Sequence, residues 1–142
     1  MNFYYYLPII VVILSNIVYH NATKNTPQNV NSFLSLTVTY FVGCIISLAL
    51  YFILRKNIDV LSDFKQLNWT SYFLGLAIVG LEVGYIYMYR LGWQISKGSL
   101  VANILVALAL IILGIFFYKE SLSLRNFIGL GLCIVGIILV GK

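Results

Sequence analysis

The sequence is poor in charge, and above all in negative charge. Of its 142 residues 9% are charged, with four Asp or Glu against nine Lys or Arg, a formal net charge of +5. The basic residues are distributed along the chain and form no dense patch, so a nucleic-acid partner is not expected. Basic residues in this arrangement are typical of the loops that flank membrane segments.

The residues that build metal and catalytic centres are also scarce. The chain has two cysteines and one histidine. Cys44 and Cys133 both lie in apolar runs, which favours small packing residues over a disulfide or a metal site. His20 ends an apolar run, where a lone histidine is typical of a membrane interface. No metal, no cofactor and no catalytic pair is predicted, and an enzyme is the least favoured class.

The chain is instead rich in hydrophobic residues. Hydrophobic residues make up 61% of the sequence, and the mean hydropathy is +0.97. A domain of this size cannot bury so much apolar surface in water. The runs are continuous and close to the twenty residues that span a bilayer, which predicts an all-α integral membrane protein of the cell membrane. One transmembrane domain over 1–142 is expected, with five helices at about 3–19, 32–54, 71–89, 98–118 and 126–141.

The third apolar segment contains a carboxylate, in the stretch VGLEVGYIYMYRLGW at 79–93. A charged group at the centre of a bilayer costs about 2.5 to 3.5 kcal/mol on insertion scales, so such residues are usually functional. At 100° per residue Tyr85, Tyr89 and Trp93 share the face of Glu82. An anion beside aromatic rings suits an organic cation. The alternative is that the rings anchor the helix at the interface and that Glu82 pairs with Arg90 or Lys97.

Other polar residues within the apolar segments could line a cavity with Glu82. Ser99 and Asn103 share one face of the fourth segment, and Asn16 lies deep in the first. Tyr40 of the second segment is a weaker candidate. Each of these residues could instead join neighbouring helices by a hydrogen bond.

Small residues mark two surfaces for close helix packing. Gly80 and Gly84 form a GxxxG on the side of the third segment opposite Glu82. Gly129, Cys133 and Gly136 form a stripe on the fifth segment. Both surfaces predict helix contacts, within one protomer or between two.

The distribution of basic residues gives almost no orientation signal. With five spans, one side of the membrane holds five basic residues and the other holds four: Arg55, Lys56, Lys65, Lys119 and Arg125 against Lys24, Arg90, Lys97 and Lys142. Because orientation follows the bias in basic residues, a chain this balanced is predicted to insert in both directions. The alternative is one orientation with the N-terminus inside, set by the dense second loop.

The chain resembles the EamA-like branch of the drug/metabolite transporter superfamily, most clearly over YRLGWQISKGSLVANILVALALIILGIFFYKESLSLRNFIGLGLCIVGIILVGK at 89–142. The matching residues are Glu120 at the end of the fourth helix, Leu122 and Leu124 in the loop, and Gly129 and Gly136 in the last helix. More distantly the chain is similar to small multidrug resistance proteins. Those proteins have a membrane glutamate in the first helix, where this chain has Asn16 and places its acid in the third helix.

The resemblance implies one five-helix repeat and a secondary transporter of a small organic metabolite or drug-like cation. It would work by alternating access as a dimer. The position of Glu82 within an apolar helix adds the expectation of proton exchange at that residue, since desolvation disfavours its charged form. A single repeat has its two ends on opposite faces, so it needs an inverted partner to enclose a central site. An antiparallel homodimer is therefore predicted, with a parallel dimer or a paired heteromer as alternatives. Two other functions stay open, a lipid-linked or small-molecule flippase subunit and a non-transporting assembly subunit.

Overall fold

The computed structural model describes residues 3–55, 59–121 and 123–141. Lys56, Leu122 and Lys142, named above, lie outside them. Within the described residues the chain forms six helices. They are α1 (Phe3–Lys24), α2 (Ser32–Leu54), α3 (Val60–Lys65), α4 (Trp69–Arg90), α5 (Ile95–Tyr118) and α6 (Leu124–Gly141).

Four of these helices, α1, α2, α4 and α5, are long and apolar enough to cross a bilayer. In α6 the apolar stretch Leu124–Gly136 is shorter. Among the described residues the buried hydrophobic side chains are Leu36, Ile86 and Tyr89, whereas most large apolar side chains of the long helices face outward. Lipid is the environment in which such a surface is stable, so the prediction of a helical membrane protein is confirmed, and the fifth span stays a prediction.

The chain divides into two compact units, Met1–Lys24 with Leu91–Lys142 and Asn25–Arg90. In the first unit α5 packs against both α1 and α6. The Lys24 Nζ donates a hydrogen bond to the Trp93 carbonyl oxygen at 2.9 Å, which joins the end of α1 to the start of α5. In the second unit α2 packs against α4. A single domain over 1–142 stays a prediction.

Four helices have ends that differ from the hydropathy prediction, and in α1 and α4 polar side chains bond to the helix end. The first helix continues past Tyr19 to Lys24, and the Thr23 hydroxyl donates to the Tyr19 carbonyl oxygen at 2.8 Å. The third membrane helix begins at Trp69, two residues before the predicted Ser71, because the Asn68 side chain accepts from the Thr70 amide at 3.0 Å. The last two helices begin at Ile95 and Leu124, ahead of the predicted 98 and 126.

The short helix α3 was not predicted, because six residues give no clear helical period. Its N-terminus is capped by Asp59, whose side chain accepts from the Ser62 amide at 3.1 Å. Asp63 then fixes α3 to the end of α2. It accepts from the Tyr51 hydroxyl at 2.6 Å and pairs with Arg55 at 2.6 Å.

Glu120, the residue of the family pattern, closes the end of α5. Lys119 adopts a left-handed conformation with φ 53°, and the Glu120 amide donates to the Gly114 carbonyl oxygen at 3.0 Å. The Glu120 carboxylate then folds back over Gly114, where an added Cβ would lie 2.6 Å from Oε2. This arrangement agrees with a structural role for Glu120, since its carboxylate covers its own helix end.

Candidate functional site

Glu82 is unusual among the acidic residues of the chain. The chain has four Asp or Glu residues. Asp59 and Asp63 belong to the α3 segment, and Glu120 follows the end of α5. Glu82 is thus the one acidic residue within a helix that can cross the bilayer, and its side chain is half-buried.

Three tyrosines of the second unit belong to the same region of α2 and α4 as this carboxylate. Tyr85 and Tyr89 lie one and two turns beyond Glu82 on α4, with their rings stacked at a centroid distance of 6.2 Å and an angle of 28°. Tyr89 is buried, with 4% of its surface exposed. Tyr40 of α2 lies close enough to Glu82 for the two side chains to interact electrostatically. We call Tyr40, Glu82, Tyr85 and Tyr89 the carboxylate–tyrosine cluster.

The Tyr40 hydroxyl adds a second unusual feature to this cluster. It is buried, and within the described parts of the chain it makes no hydrogen bond. A buried hydroxyl without a partner is costly, and in native proteins it usually finds water, a ligand or another chain. The cluster therefore combines a carboxylate in a membrane helix, a stacked ring pair and a buried phenol that can still donate a hydrogen bond.

Trp93 does not share the helix face that sequence periodicity assigned to it. The helix α4 ends at Arg90, and Gly92 turns the chain with a left-handed φ of +96°. Glycine readily adopts this conformation beyond a helix end. The helical projection therefore stops before Trp93, which lies in the α4–α5 connection with 45% of its surface exposed. A role for Trp93 in binding stays a prediction.

Arg90 has partners that the sequence did not indicate. Its Nη1 donates to the Ser32 hydroxyl at 2.8 Å. Its Nη2 donates to the Pro27 and Val30 carbonyl oxygens at 3.0 and 2.7 Å. These bonds join the end of α4 to the loop before α2, and they give Arg90 a role other than the suggested pairing with Glu82. We call this set of bonds the Arg90 clamp.

The remaining polar residues meet in the first unit. Asn16 of α1 and Ser99 and Asn103 of α5 line one open groove of about 620 Å³. We call it the α1–α5 groove, and its full lining is Val12, Ile13, Asn16, Ile17, His20, Asn21, Ile95, Ser99 and Asn103. His20 was interpreted as an interfacial residue, but its side chain is 8% exposed and belongs to this wall. Its spacing of four residues from Asn16 was the signal that could have found it.

The predicted packing glycines have open space beside them in the described part of the chain. Within the described residues no side chain or backbone atom comes within 4 Å of a Cβ built at Gly80, Gly84, Gly129 or Gly136. Cys133 is exposed. The packing role of these two surfaces stays a prediction.

Comparison with known proteins places these features in a family. Residues 3–142 match the model of the EamA-like transporter family. The chain belongs to this family. This membership confirms the resemblance to the drug/metabolite transporters, and together with the apolar helices it identifies an EamA-like membrane transporter, a multi-pass protein of the cell membrane.

One curated relative of this EamA-like protein matches about half of it. It is the probable 4-amino-4-deoxy-L-arabinose-phosphoundecaprenol flippase subunit ArnE of Hamiltonella defensa subsp. Acyrthosiphon pisum (strain 5AT). The two chains are 31% identical over 74 residues, which cover 51% of this chain and 67% of the relative. No solved structure matches this chain.

Proposed function

We propose that this EamA-like protein is a secondary transporter of a small organic metabolite or drug-like cation, and that the cationic group binds at the carboxylate–tyrosine cluster. The observation that supports this most directly is Glu82, the acidic residue within a membrane-spanning helix, beside the stacked rings of Tyr85 and Tyr89. A carboxylate supplies charge pairing, and an aromatic face supplies a cation–π contact. The Tyr40 hydroxyl could donate a hydrogen bond to the carboxylate or to the substrate.

Proton coupling is part of this proposal because a charged side chain within hydrocarbon is costly. An empty, ionised Glu82 is expensive in a bilayer, so the stable states have either a proton or a cation on the carboxylate. The two then compete for one site, and a pH gradient can drive the cation in the opposite direction. Alternating access would come from rocking of inverted halves around that site.

The relative favours a second candidate, a subunit of a lipid-linked flippase. The name of that relative describes the flipping of a phosphoundecaprenol that carries an amino sugar. The amine of such a substrate would be a cation that the same Glu82 carboxylate could pair with. Both candidates therefore use the carboxylate–tyrosine cluster, and they differ in whether the transported molecule has a lipid tail.

The ring contact is tested by binding of tetraethylammonium to the purified full chain. Tyr85→Leu should weaken binding about fivefold, because a desolvated cation–π contact contributes about 1 kcal/mol or more. Tyr85→Phe keeps the ring and should retain the affinity. Tyr85 is preferred to Tyr89, whose burial makes a truncation ambiguous. The control is Tyr72→Leu, on the same helix and 68% exposed. Equal loss in both leucine variants, or none in either, would contradict the site.

We also propose that the transporter works as an antiparallel homodimer, with Glu82 of each copy facing a shared cavity. The balanced basic residues of the loops permit both orientations, and the uncovered stripe at Gly129, Cys133 and Gly136 offers a surface for a second α6. A parallel dimer or a heteromer with an oppositely oriented relative are the other assemblies.

Orientation is measured with single cysteines at the exposed positions Gln28 and Lys65, after Cys44 and Cys133 are replaced by serine. In sealed cells a membrane-impermeant maleimide should label a fraction of each site, and permeabilisation should expose the rest. Dual insertion predicts partial labelling at both positions. Complete labelling of one position with full protection of the other would show a single orientation and exclude the antiparallel homodimer.

A further inference from the structure

The α1–α5 groove has two polar levels, each with one side chain from each helix. The end of α1 and the start of α5 lie together, joined by the Lys24 bond. At a rise of 1.5 Å per residue, His20 and Ser99 each lie about 6 Å from those helix ends, and Asn16 and Asn103 each lie about 12 Å from them. The two helices therefore place matching polar pairs at matching depths.

Hydrogen bonds within the helices decide what these levels can offer a ligand. The Asn16 Nδ2 donates to the Val12 carbonyl oxygen at 3.0 Å, and the Ser99 hydroxyl donates to the Ile95 carbonyl oxygen at 2.6 Å. The Ser99 proton is thereby used, and the Asn16 Oδ1 and Ser99 Oγ keep their lone pairs. These levels present the acceptor oxygens of Asn16, Ser99 and Asn103, together with the second N–H of Asn16 and the amide N–H groups of Asn103. They therefore suit a ligand whose hydroxyls both donate and accept hydrogen bonds.

Those same bonds argue against a purely adhesive role for the polar residues. A side chain that joined α1 to α5 would direct its donor across the groove. One N–H of Asn16 and the hydroxyl of Ser99 turn back to their own helices, and the Asn103 side chain makes no hydrogen bond to any residue that the structure describes. Acceptor oxygens inside a membrane protein are costly unless something donates to them.

The lining also indicates the charge and shape of the occupant. It contains no Lys, Arg, Asp or Glu, so a fully charged head group would find no counter-charge there. Beyond the two polar levels the groove is lined on the α1 side by the apolar residues Val12 and Ile13. Its volume of about 620 Å³ lies within the range of about 300 to 1,000 Å³ that is typical of small-molecule sites.

From these features we infer that the α1–α5 groove binds an uncharged, hydroxyl-rich head group carried on a hydrocarbon chain. The hydroxyls donate to the acceptor oxygens of Asn16, Ser99 and Asn103, and the chain lies along the apolar end at Val12 and Ile13. This site belongs to the first unit and uses neither Glu82 nor its tyrosines. A test of this site is therefore independent of the test of cation transport.

The test uses the full chain in phosphatidylcholine nanodiscs with tritiated octyl β-glucoside as the probe. Binding should saturate, and unlabelled octyl glucoside should displace it. Octyltrimethylammonium has the same chain but a charged head without donors, and it should displace poorly. Glucose, the head without the chain, should also displace poorly. Displacement by the ammonium compound as strong as that by octyl glucoside would contradict the uncharged, hydroxyl-rich head group. Equally strong displacement by glucose would contradict the role of the ligand's hydrocarbon chain. Binding that never saturates would overturn the site.

Variants locate the binding in the groove. Asn16→Leu and Asn103→Leu, which keep the side-chain size, should each weaken glucoside binding about fivefold through loss of a hydrogen bond. Ser99→Ala is a smaller change that should keep the fold and weaken binding about threefold. Ser15→Ala is the control, on α1 but outside the groove lining. Wild-type affinity in all three groove variants would overturn the inference, and Glu82→Gln should leave the affinity unchanged.

Discussion

Glu82→Gln should abolish cation flux driven by a pH gradient in reconstituted vesicles, leaving only the leak of protein-free vesicles. Glutamine has nearly the size of glutamate, so the packing of α4 against α2 is preserved. It neither pairs with a cation nor exchanges a proton, so both halves of the proposed exchange are lost together. Uptake of tetraethylammonium into vesicles with an imposed pH difference measures the effect.

The matched control is Glu120→Gln, the same substitution at the other glutamate of the chain. Glu120 follows the span Ile95–Tyr118, and its carboxylate covers the last turn of α5 at Gly114 and not the carboxylate–tyrosine cluster, so flux should persist. Glu82→Asp keeps the charge on a shorter side chain and should retain part of the activity. Wild-type flux in Glu82→Gln would refute the coupling role, and equal loss in both glutamine variants would point to a general defect.

Arg90→Gln should destabilise the second unit by about 3 kcal/mol or more, since hydrogen bonds to charged groups contribute about 1.5 to 3 kcal/mol each and the Arg90 clamp has three. The clamp fixes the end of α4 directly after Tyr89, so the variant should also weaken cation binding at the cluster. Denaturation of the purified protein in a graded series of sodium dodecyl sulfate gives the stability change.

Two further substitutions show that the clamp geometry is responsible. Arg90→Lys keeps the charge but not the planar fork of donors, so its stability should fall between wild type and Arg90→Gln. Arg125→Gln removes an exposed arginine at the start of α6 and should have little effect. A loss at Arg125 equal to that at Arg90 would mean that total charge matters, and that the bonds to Ser32, Pro27 and Val30 do not.

The membrane class, the all-helical fold and the approximate helix positions could be read from the sequence because they depend on local composition. Twenty consecutive apolar residues have few stable solutions other than a spanning helix. Glu82 also stood out at this level, since a carboxylate in such a run is conspicuous without any knowledge of its neighbours. The helix ends were less accurate because Thr23 and Asn68 extend helices through hydrogen bonds that hydropathy does not record.

The tertiary structure decided which polar residues meet. Arg90 and Ser32 lie 58 positions apart, and no periodicity within one helix could have paired them. His20 lines the α1–α5 groove only because α5 lies alongside α1. Trp93 is not on the Glu82 face because α4 ends at Arg90 and the chain turns at Gly92. Hydropathy thus determines that a segment is a helix in lipid. The partner of each polar side chain depends on which helices pack together, since lipid cannot satisfy a polar group and only another part of the protein or a ligand can.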